Sequence, residues 1–457
     1  MEQKNHDGFN RRDFLRTSAI AGLGAAAAGL AVTGCGPKYG KGEARSSQFK
    51  VDPIEVVRVG YVGVGHQGSS HIKNLLRIEG VEIVAVCDLV EEKVKRIQDW
   101  VVQAGKPKPD GYFKGEYDYK RMCERDDIDL VYTATPWEWH VPICVEAMKT
   151  GKHAATEVPA AVTLEECWEL VETAEATGKH MVMMENCNYD RTELMILNMV
   201  RHGLLGELLH ARCGYKHDLR RNKILRGNYE NDWRIKHSIK RNGDLYPTHG
   251  LGPVAQDMNI NRGNQFDFLV SMATKSMGLH LYALEMYGPD DPLAKIKYAL
   301  GDVVTTMIRT VNGQTIIVTH DTNTPRPYSR DILVQGTKGL VRKYPEEKIY
   351  IEGKSPAHHW EDLEKYREEW EHPLWKEMAD ISKGAGHGGM DFIEDYRLIK
   401  ALRTGSPMDM DVYDAAALSA VSALSEKSIA NKSKAIDFPD FTRGKWKTNP
   451  PLGIVHA

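Results

Sequence analysis

Val56-Val57-Arg58-Val59-Gly60-Tyr61-Val62, followed at once by Gly63-Val64-Gly65-His66-Gln67-Gly68, is the stretch that decides how the first half of the chain folds. The first seven residues are apolar but for Arg58, as in a parallel strand buried on both faces. Each glycine then has its own task in a turn that grips a dinucleotide. Gly63 permits the tight turn, Gly65 lets the backbone approach a pyrophosphate, and Gly68 lets the next helix pack close to the strand. Ser69–Ile78 reads as that helix, with free N–H groups and a positive dipole end facing the turn. A second strand, Val81–Cys87, ends at Asp88, twenty residues past Gly68. A carboxylate there accepts hydrogen bonds from ribose hydroxyls and repels a 2′-phosphate, which favours NAD over NADP.

Outward from this motif the alternation continues. Helices are predicted at Val90–Gln103, Tyr117–Glu124, Val141–Thr150 and Leu164–Thr177, and strands at Leu130–Thr135, His153–Thr156 and His180–Met184. The expectation is an α/β fold: an N-terminal Rossmann domain, a doubly wound parallel sheet, over residues 55–188. Ligands of such sheets lie beyond the carboxyl ends of strands. The residues expected there, and taken as cofactor-binding, are Gly63, Gly65, His66, Gln67, Gly68, Asp88, Trp137, Glu138, Trp139, His140, Glu157, Val158 and Asn186.

From about residue 190 the pattern changes. After a helix at Arg191–Arg201, the segments Glu207–Tyr215, Phe266–Thr274, Val303–Thr310, Gln314–His320, Ile332–Val334 and Lys348–Ile351 alternate or are β-branched, and Asn312-Gly313 is a hairpin signal. Residues 189–445 therefore read as an α+β substrate domain with an open, mainly antiparallel sheet. One face of that sheet is covered and the other is free for a ligand or a second copy of the chain. Helical stretches near Glu361–Lys383, Met390–Leu402 and Val412–Ala430 are expected to return and cover both domains, ahead of an extended tail at 446–457. The long polar segment Lys216–Asn264 exceeds what a plain connector needs.

The 457 residues carry 60 Lys+Arg against 63 Asp+Glu, a formal charge of −3 that excludes a chain built to coat nucleic acid. Beyond the N-terminus no run approaches the ~20 apolar residues of a membrane span. Residues 1–34 have the order of a twin-arginine export signal: Arg11-Arg12-Asp13-Phe14-Leu15, an apolar run Ala19–Val32, and Thr33-Gly34-Cys35 as a lipoprotein cleavage box. The expectation is a periplasmic or cell-surface lipoprotein, touching the membrane only through a lipid on Cys35, with 35–54 as a tether. Such export carries folded cargo, so the six other cysteines, none in C-x-x-C spacing, are expected as buried free thiols. None of the 18 His stands at H-x-x-x-H spacing beside carboxylates, so no metal is expected.

Tyr246-Pro247-Thr248-His249-Gly250 is the densest chemical cluster. An imidazole suits proton transfer near neutrality, and a phenol does so when a cation lowers its pKa. Tyr215, Arg234 and Tyr328 offer aromatic faces and donors for a sugar. The same residues are compatible with a turn around a structural histidine, and Trp137 and Trp139 with core packing.

The chain resembles the glucose–fructose oxidoreductase/inositol dehydrogenase superfamily. More narrowly, Trp137-Glu138-Trp139-His140, Glu157-Val158-Pro159-Ala160-Ala161, Glu185-Asn186-Cys187-Asn188-Tyr189, Gly243–Gly250, Gly301–Thr306 and His320-Asp321-Thr322 are similar to glycoside hydrolase family 109. That resemblance implies an NAD-dependent α-N-acetylgalactosaminidase. Its expected cycle removes hydride from sugar carbon 3, takes a proton from carbon 2, eliminates the anomeric group, adds water and returns the hydride. It implies His249 and Tyr246 as the proton-transfer groups, with Tyr246 also facing the cofactor. Glu157 and Asn186 would hold ribose and nicotinamide, and Tyr215, Arg234, Tyr246, Pro247, Thr248, His249 and Tyr328 the sugar. The superfamily's dehydrogenases usually have Glu-Lys-Pro where this chain has Glu157-Val158-Pro159, and Val158 moves no proton. Many family members also have Arg where this chain has Gln67 and Asp190. A sugar dehydrogenase and a non-catalytic sugar-binding lipoprotein are the alternatives.

Overall fold

A computed structural model describes residues 51–229 and 232–454. The export signal, Cys35 and the tether up to residue 50 lie outside the described residues.

Six parallel strands, β1 (Val57–Val62), β2 (Val81–Cys87), β3 (Asp110–Tyr112), β4 (Leu130–Thr133), β5 (His153–Thr156) and β6 (Met181–Met183), form one sheet in the order β3-β2-β1-β4-β5-β6. This is the doubly wound Rossmann order, and its switch point falls between β1 and β4. Strands β4, β5 and β6 are buried along their whole length, as a sheet covered on both faces requires. β3 is short and half-exposed, without the apolar run that announces the others. The first helix begins at His66, inside the glycine motif, three residues earlier than its apolar periodicity suggests.

The second sheet has nine strands. They are β7 (Leu208–Lys216), β8 (Phe266–Ala273), β9 (Val304–Thr310), β10 (Thr315–Asp321), β11 (Leu333–Gly336), β12 (Gly339–Arg342), β13 (Lys348–Ile351), β14 (Glu361–Asp362) and β15 (Ile436–Asp437), in the order β14-β13-β12-β11-β7-β10-β9-β8-β15. Every pairing is antiparallel except β7 with β10. Asn312-Gly313 turns β9 into β10. β9 alternates buried and exposed residues, so one face is packed while Met307 and, on β8, Met272 stand in the open.

Two C-terminal helices tie the halves together. Met390–Thr404 lies against the helix His66–Leu75. Val412–Ala430 packs on both Leu164–Thr177 and β8. Glu361–Lys383 is not one helix: it splits into β14, a 3₁₀ turn and the short helices Arg367–Trp370 and Pro373–Met378, because Pro373 cannot continue a helix begun before it. Among the described residues, Lys216–Asn264 holds the helices Arg220–Ile224 and Trp233–Lys240, hidden by their polar composition, and Thr248–Asp257, hidden by its glycines and Pro253. The helix Gly278–Tyr287 gives no clear amphipathic signal either. The tail is held down by Arg201, which donates to Leu452 O at 2.9 Å and Ile454 O at 2.7 Å. Six described cysteines are free and buried.

Candidate active site

The glycine motif behaves as its spacing predicts. A Cβ on Gly68 would lie 2.0 Å from Gly63 O, so only glycine lets the helix seat on the turn. Gly63 has φ +83°, and a Cβ there would meet Ala134 and Thr135 beyond β4. Gly65 faces open space on its Cβ side, the room a pyrophosphate needs. His66 is exposed beside it. Asp88 accepts from Val64 N and Val90 N, both at 2.9 Å, which fixes the carboxylate against the turn and leaves lone pairs for ribose hydroxyls. These features fit a bound dinucleotide.

Other cofactor candidates line the same sheet edge. Trp137 is buried and stacks on Tyr246 with ring centroids 5.6 Å apart and planes 24° apart. Trp139 points instead to Tyr117 and Tyr119, edge-on. Glu138 pairs with His237 at 3.6 Å. His140 is buried and braces two loops, with Nδ1 2.8 Å from Pro159 O and Nε2 2.9 Å from Thr135 O. Val158 is buried beside Glu157, whose Oε1 lies 2.6 Å from His71 Nε2. Asn186 donates to Asp391 Oδ1 at 2.7 Å, and Gln67 to Asp391 Oδ2 at 3.4 Å.

The substrate candidates converge where the two sheets meet. Pro247 precedes the helix Thr248–Asp257, which lies directly on β7. A Cβ on Gly250 would be 2.3 Å from Gly214 N. This contact puts His249 against Tyr215, at 5.4 Å between ring centroids, and Tyr246 against both, at 4.9 Å from His249 and 4.7 Å from Tyr215. The Tyr215 hydroxyl is 2.9 Å from His217 Nδ1, and Tyr328 is edge-on to both rings. Arg234 spreads over Trp137, Trp233, Tyr229 and Tyr246 at 4.8–5.6 Å from their centroids. Arg234 Nε is buried without a partner among the described residues, a donor suited to a polar ligand, while the buried Thr248 hydroxyl supports the Glu185 carboxylate. Of the predicted sugar contacts, Tyr328 is the outlying one, 39% exposed.

Sequence reasoning missed the partner that defines His249. Glu185, wholly buried 64 residues upstream, accepts from Nδ1 at 2.7 Å. An ionised carboxylate is acceptor-only, so the proton sits on Nδ1 and the Nε2 lone pair is left for chemistry. Burial works to raise the Glu185 pKa, but His249, the Thr248 hydroxyl and the Cys187 N–H together outweigh it and hold it below the usual value. Cys187 Sγ joins these two groups within 4.8 Å. Its thiol is pushed well up by burial and donates to Asn186 Oδ1 at 3.4 Å, so the trio is a hydrogen-bonded carboxylate–imidazole pair beside a protonated thiol. For Tyr246 the condition set by the sequence is not met. Burial raises the phenol well above 10, and Arg234 offsets only part of that, so Tyr246 is a donor at neutral pH. Asp190, where many family members have Arg, caps Arg191–Arg201 through Thr192 N at 2.9 Å. It also pairs with Arg330 at 2.8 Å and Lys343 at 2.5 Å. Arg330 in turn donates to the Tyr328 hydroxyl at 3.3 Å.

A Rossmann sheet whose carboxyl edge brings Glu185, just past β6, against His249, on the helix packed over β7 of the second sheet, defines a protein of the nucleotide-binding class. Levoglucosan dehydrogenase solved with NADH has this fold, with a TM-score of 0.64 at 20% identity over 84% of this chain and 99% of that one. Scyllo-inositol dehydrogenase from Lactobacillus casei with bound NAD(H) and scyllo-inositol has it too, at 0.59 and 13% over the same shares. Residues 57–185 match the oxidoreductase family with NAD-binding Rossmann fold, and residues 189–448 match the C-terminal domain of glycosyl hydrolase 109. A glycosyl hydrolase family 109 protein of Shewanella pealeana is 46% identical over 98% of this chain and 99% of its own length. An alpha-N-acetylgalactosaminidase of Shewanella oneidensis is 45% identical over the same shares. The chain belongs to glycosyl hydrolase family 109.

Proposed function

We propose that this protein is a glycosidase that releases terminal α-linked N-acetylgalactosamine from glycans and uses NAD as a regenerated cofactor. The observation that carries the reading is the Glu185–His249 pair, 2.7 Å apart, beside Tyr246 and Tyr215 at the mouth of the nucleotide cleft. NAD bound there supplies a hydride acceptor that later gives the hydride back, so the net reaction is hydrolysis. His249 Nε2 takes the proton from sugar carbon 2, made acidic by a neighbouring ketone at carbon 3, and Glu185 stabilises the imidazolium that results. The carbon 3 hydroxyl proton passes to water as hydride leaves and comes back with it. Tyr246, which keeps its own proton, hydrogen-bonds the ketone oxygen, and water adds across carbons 1 and 2 before the hydride returns. Departure of the anomeric group by elimination needs no second carboxylate across the bond, unlike two-carboxylate glycosidases. Trp137, Tyr215 and Tyr328 supply faces for the ring, and Arg234 supplies a donor. Val158 suits this cycle, since hydride taken and returned needs no lysine to support net oxidation.

Export through the twin-arginine route, a lipid on Cys35 and assembly through the open face of the second sheet belong to the same proposal. Exposed Met272 and Met307 support the last of these. A captive, regenerated cofactor suits a compartment without a free NAD pool.

The test is hydrolysis of an aryl α-N-acetylgalactosaminide in heavy water. Deuterium at carbon 2 of the released sugar is the expected result. Hydrolysis without deuterium overturns the elimination, and NADH accumulation with free sugar would make the protein a dehydrogenase.

A further inference from the structure

Behind the cofactor edge lies a group of charges that the proposed reaction has not used. His71, on the helix His66–Leu75, is completely buried. Its Nε2 is 2.6 Å from Glu157 Oε1, and its Nδ1 is 2.9 Å from both oxygens of Asp395. Asp395 also accepts from Asn74 Nδ2 at 2.9 Å and the Tyr132 hydroxyl at 3.1 Å. Asp395 comes from Met390–Thr404, one turn after Asp391, the carboxylate that holds Asn186 and His387. One face of a C-terminal helix thus supports three of the predicted NAD contacts, Asn186 and Gln67 directly and Glu157 through His71.

We propose that His71, clamped between Asp395 and Glu157, is a positioning residue that fixes the Glu157 carboxylate at the carboxyl edge of the parallel sheet for the nicotinamide end of NAD. This rests on the proposed function only in taking Glu157 as a cofactor contact. A neutral imidazole has one N–H and one lone pair, whereas carboxylates only accept. With a carboxylate at each ring nitrogen, a neutral ring would press a lone pair against an anionic oxygen at 2.6 or 2.9 Å. The ring therefore carries both protons. Burial works against that charge, but Asp395 and Glu157 outweigh it and hold the His71 pKa well above the ordinary value. The other groups facing the ring fit this state. Glu394 is buried with both oxygens unpartnered among the described residues, and burial pushes its pKa well up, so it is neutral. The Tyr61 phenol is also pushed well up by burial. The Tyr132 hydroxyl, 3.0 Å from His71 Nδ1, donates to Asp395 Oδ1. Gln67 Nε2, 3.3 Å from His71 Nε2, is itself a donor and is directed to Asp391 Oδ2, and that third carboxylate is answered by His387 at 2.7 Å. An imidazolium so placed orients Glu157 and keeps a negative charge facing the site, which favours the cationic oxidised nicotinamide over its reduced form.

Two measurements test this on the full chain. In protein with ring-¹⁵N histidine, the His71 signals, assigned by their shift in Glu157→Gln, should keep the doubly protonated pattern from pH 6 to 9. A neutral-tautomer pattern overturns the proposal. The second is a double-mutant cycle on NAD affinity. His71→Gln keeps an N–H donor toward Glu157 but loses the charge. It should weaken NAD tenfold or more and NADH less, and should cost under twofold when Glu157 is already Gln. Equal, additive losses in both backgrounds overturn the role. If His71→Gln does not fold, Asp395→Asn takes its place in the cycle. Because both readouts concern the ring and the dinucleotide, they stand even where aryl glycosides are not cleaved, the outcome that would sink the proposed function alone.

Discussion

Replacing Glu185 by Gln tests the centre of the proposed site with little change of shape. The side chain is fully buried and tightly enclosed; even a Cβ on Gly252 would come within 2.9 Å of its Cγ. Glutamine is isosteric and neutral, so it enters that space without a cavity or a new charge. What changes is the bond at 2.7 Å to His249 Nδ1. A hydrogen bond to a charged group contributes about 1.5–3 kcal/mol. The amide can also turn its NH₂ toward Nδ1, which moves the ring proton to Nε2 and removes the lone pair that takes the carbon 2 proton. About 3 kcal/mol corresponds to roughly 10²-fold in rate, and loss of general-base action spans about 10²–10⁴. The expected result is a fall of about 10²- to 10³-fold in kcat/KM on an aryl α-N-acetylgalactosaminide, mostly in kcat, with NAD retained. Glu185→Asp, which keeps the charge on a shorter arm, should recover part of the loss. Activity within threefold of the parent at full NAD occupancy would refute the pairing as the source of catalysis.

Two further outcomes concern stability and fit. His153 and His180 are buried, with rings 5.3 Å apart, and His153 Nδ1 accepts from His180 N at 3.0 Å, so it is bound unprotonated. Burial lowers their pKa values to about 3 and about 4. Their contribution is complete above the unfolded value near 6.5 and is lost as pH falls toward those values, about 2–3 kcal/mol for the pair by pH 5.5. Asp244, raised to about 7 by burial, acts in the opposite sense, its contribution being present at low pH and lost as pH rises through 7. The urea midpoint of parent minus His180→Asn, at pH 7.5 and 5.5, isolates the histidine: the gap should narrow by about 1 kcal/mol at the lower pH; an unchanged gap counts against it. Gly250→Ala would force a Cβ to 2.3 Å from Gly214 N, a backbone atom that cannot move aside, so the helix must shift off β7. Overpacking of this kind costs about 1–3 kcal/mol, and a lower Tm with a disproportionate loss of kcat is expected, because His249 rides on the moved turn. Normal kcat at lowered Tm would show that the helix position is not what sets the reaction geometry.

Most of the scaffold was legible because its signals are local. An apolar run, three glycines at fixed spacing and an acid twenty residues on belong to one βαβ unit, where neighbours in sequence are neighbours in space. Alternation in β9 and β10 and the Asn312-Gly313 turn are equally local. Elements without an apolar period were lost: β3, the helices inside 216–264, and the subdivision of 361–383. Tyr246 and His249 stood out by their chemistry, but whether each gives or takes a proton did not.

The sequence alone determined the nucleotide-binding motif and the two-domain α/β and α+β plan, and it singled out Tyr246 and His249 by their chemistry. The tertiary structure decided their states. Glu185 meets His249 across 64 residues, Asp190 meets Arg330 across 140, and Asp395 meets His71 across 324. Protonation of a buried group depends on the charges and donors packed around it, and these come from segments that no local pattern brings together.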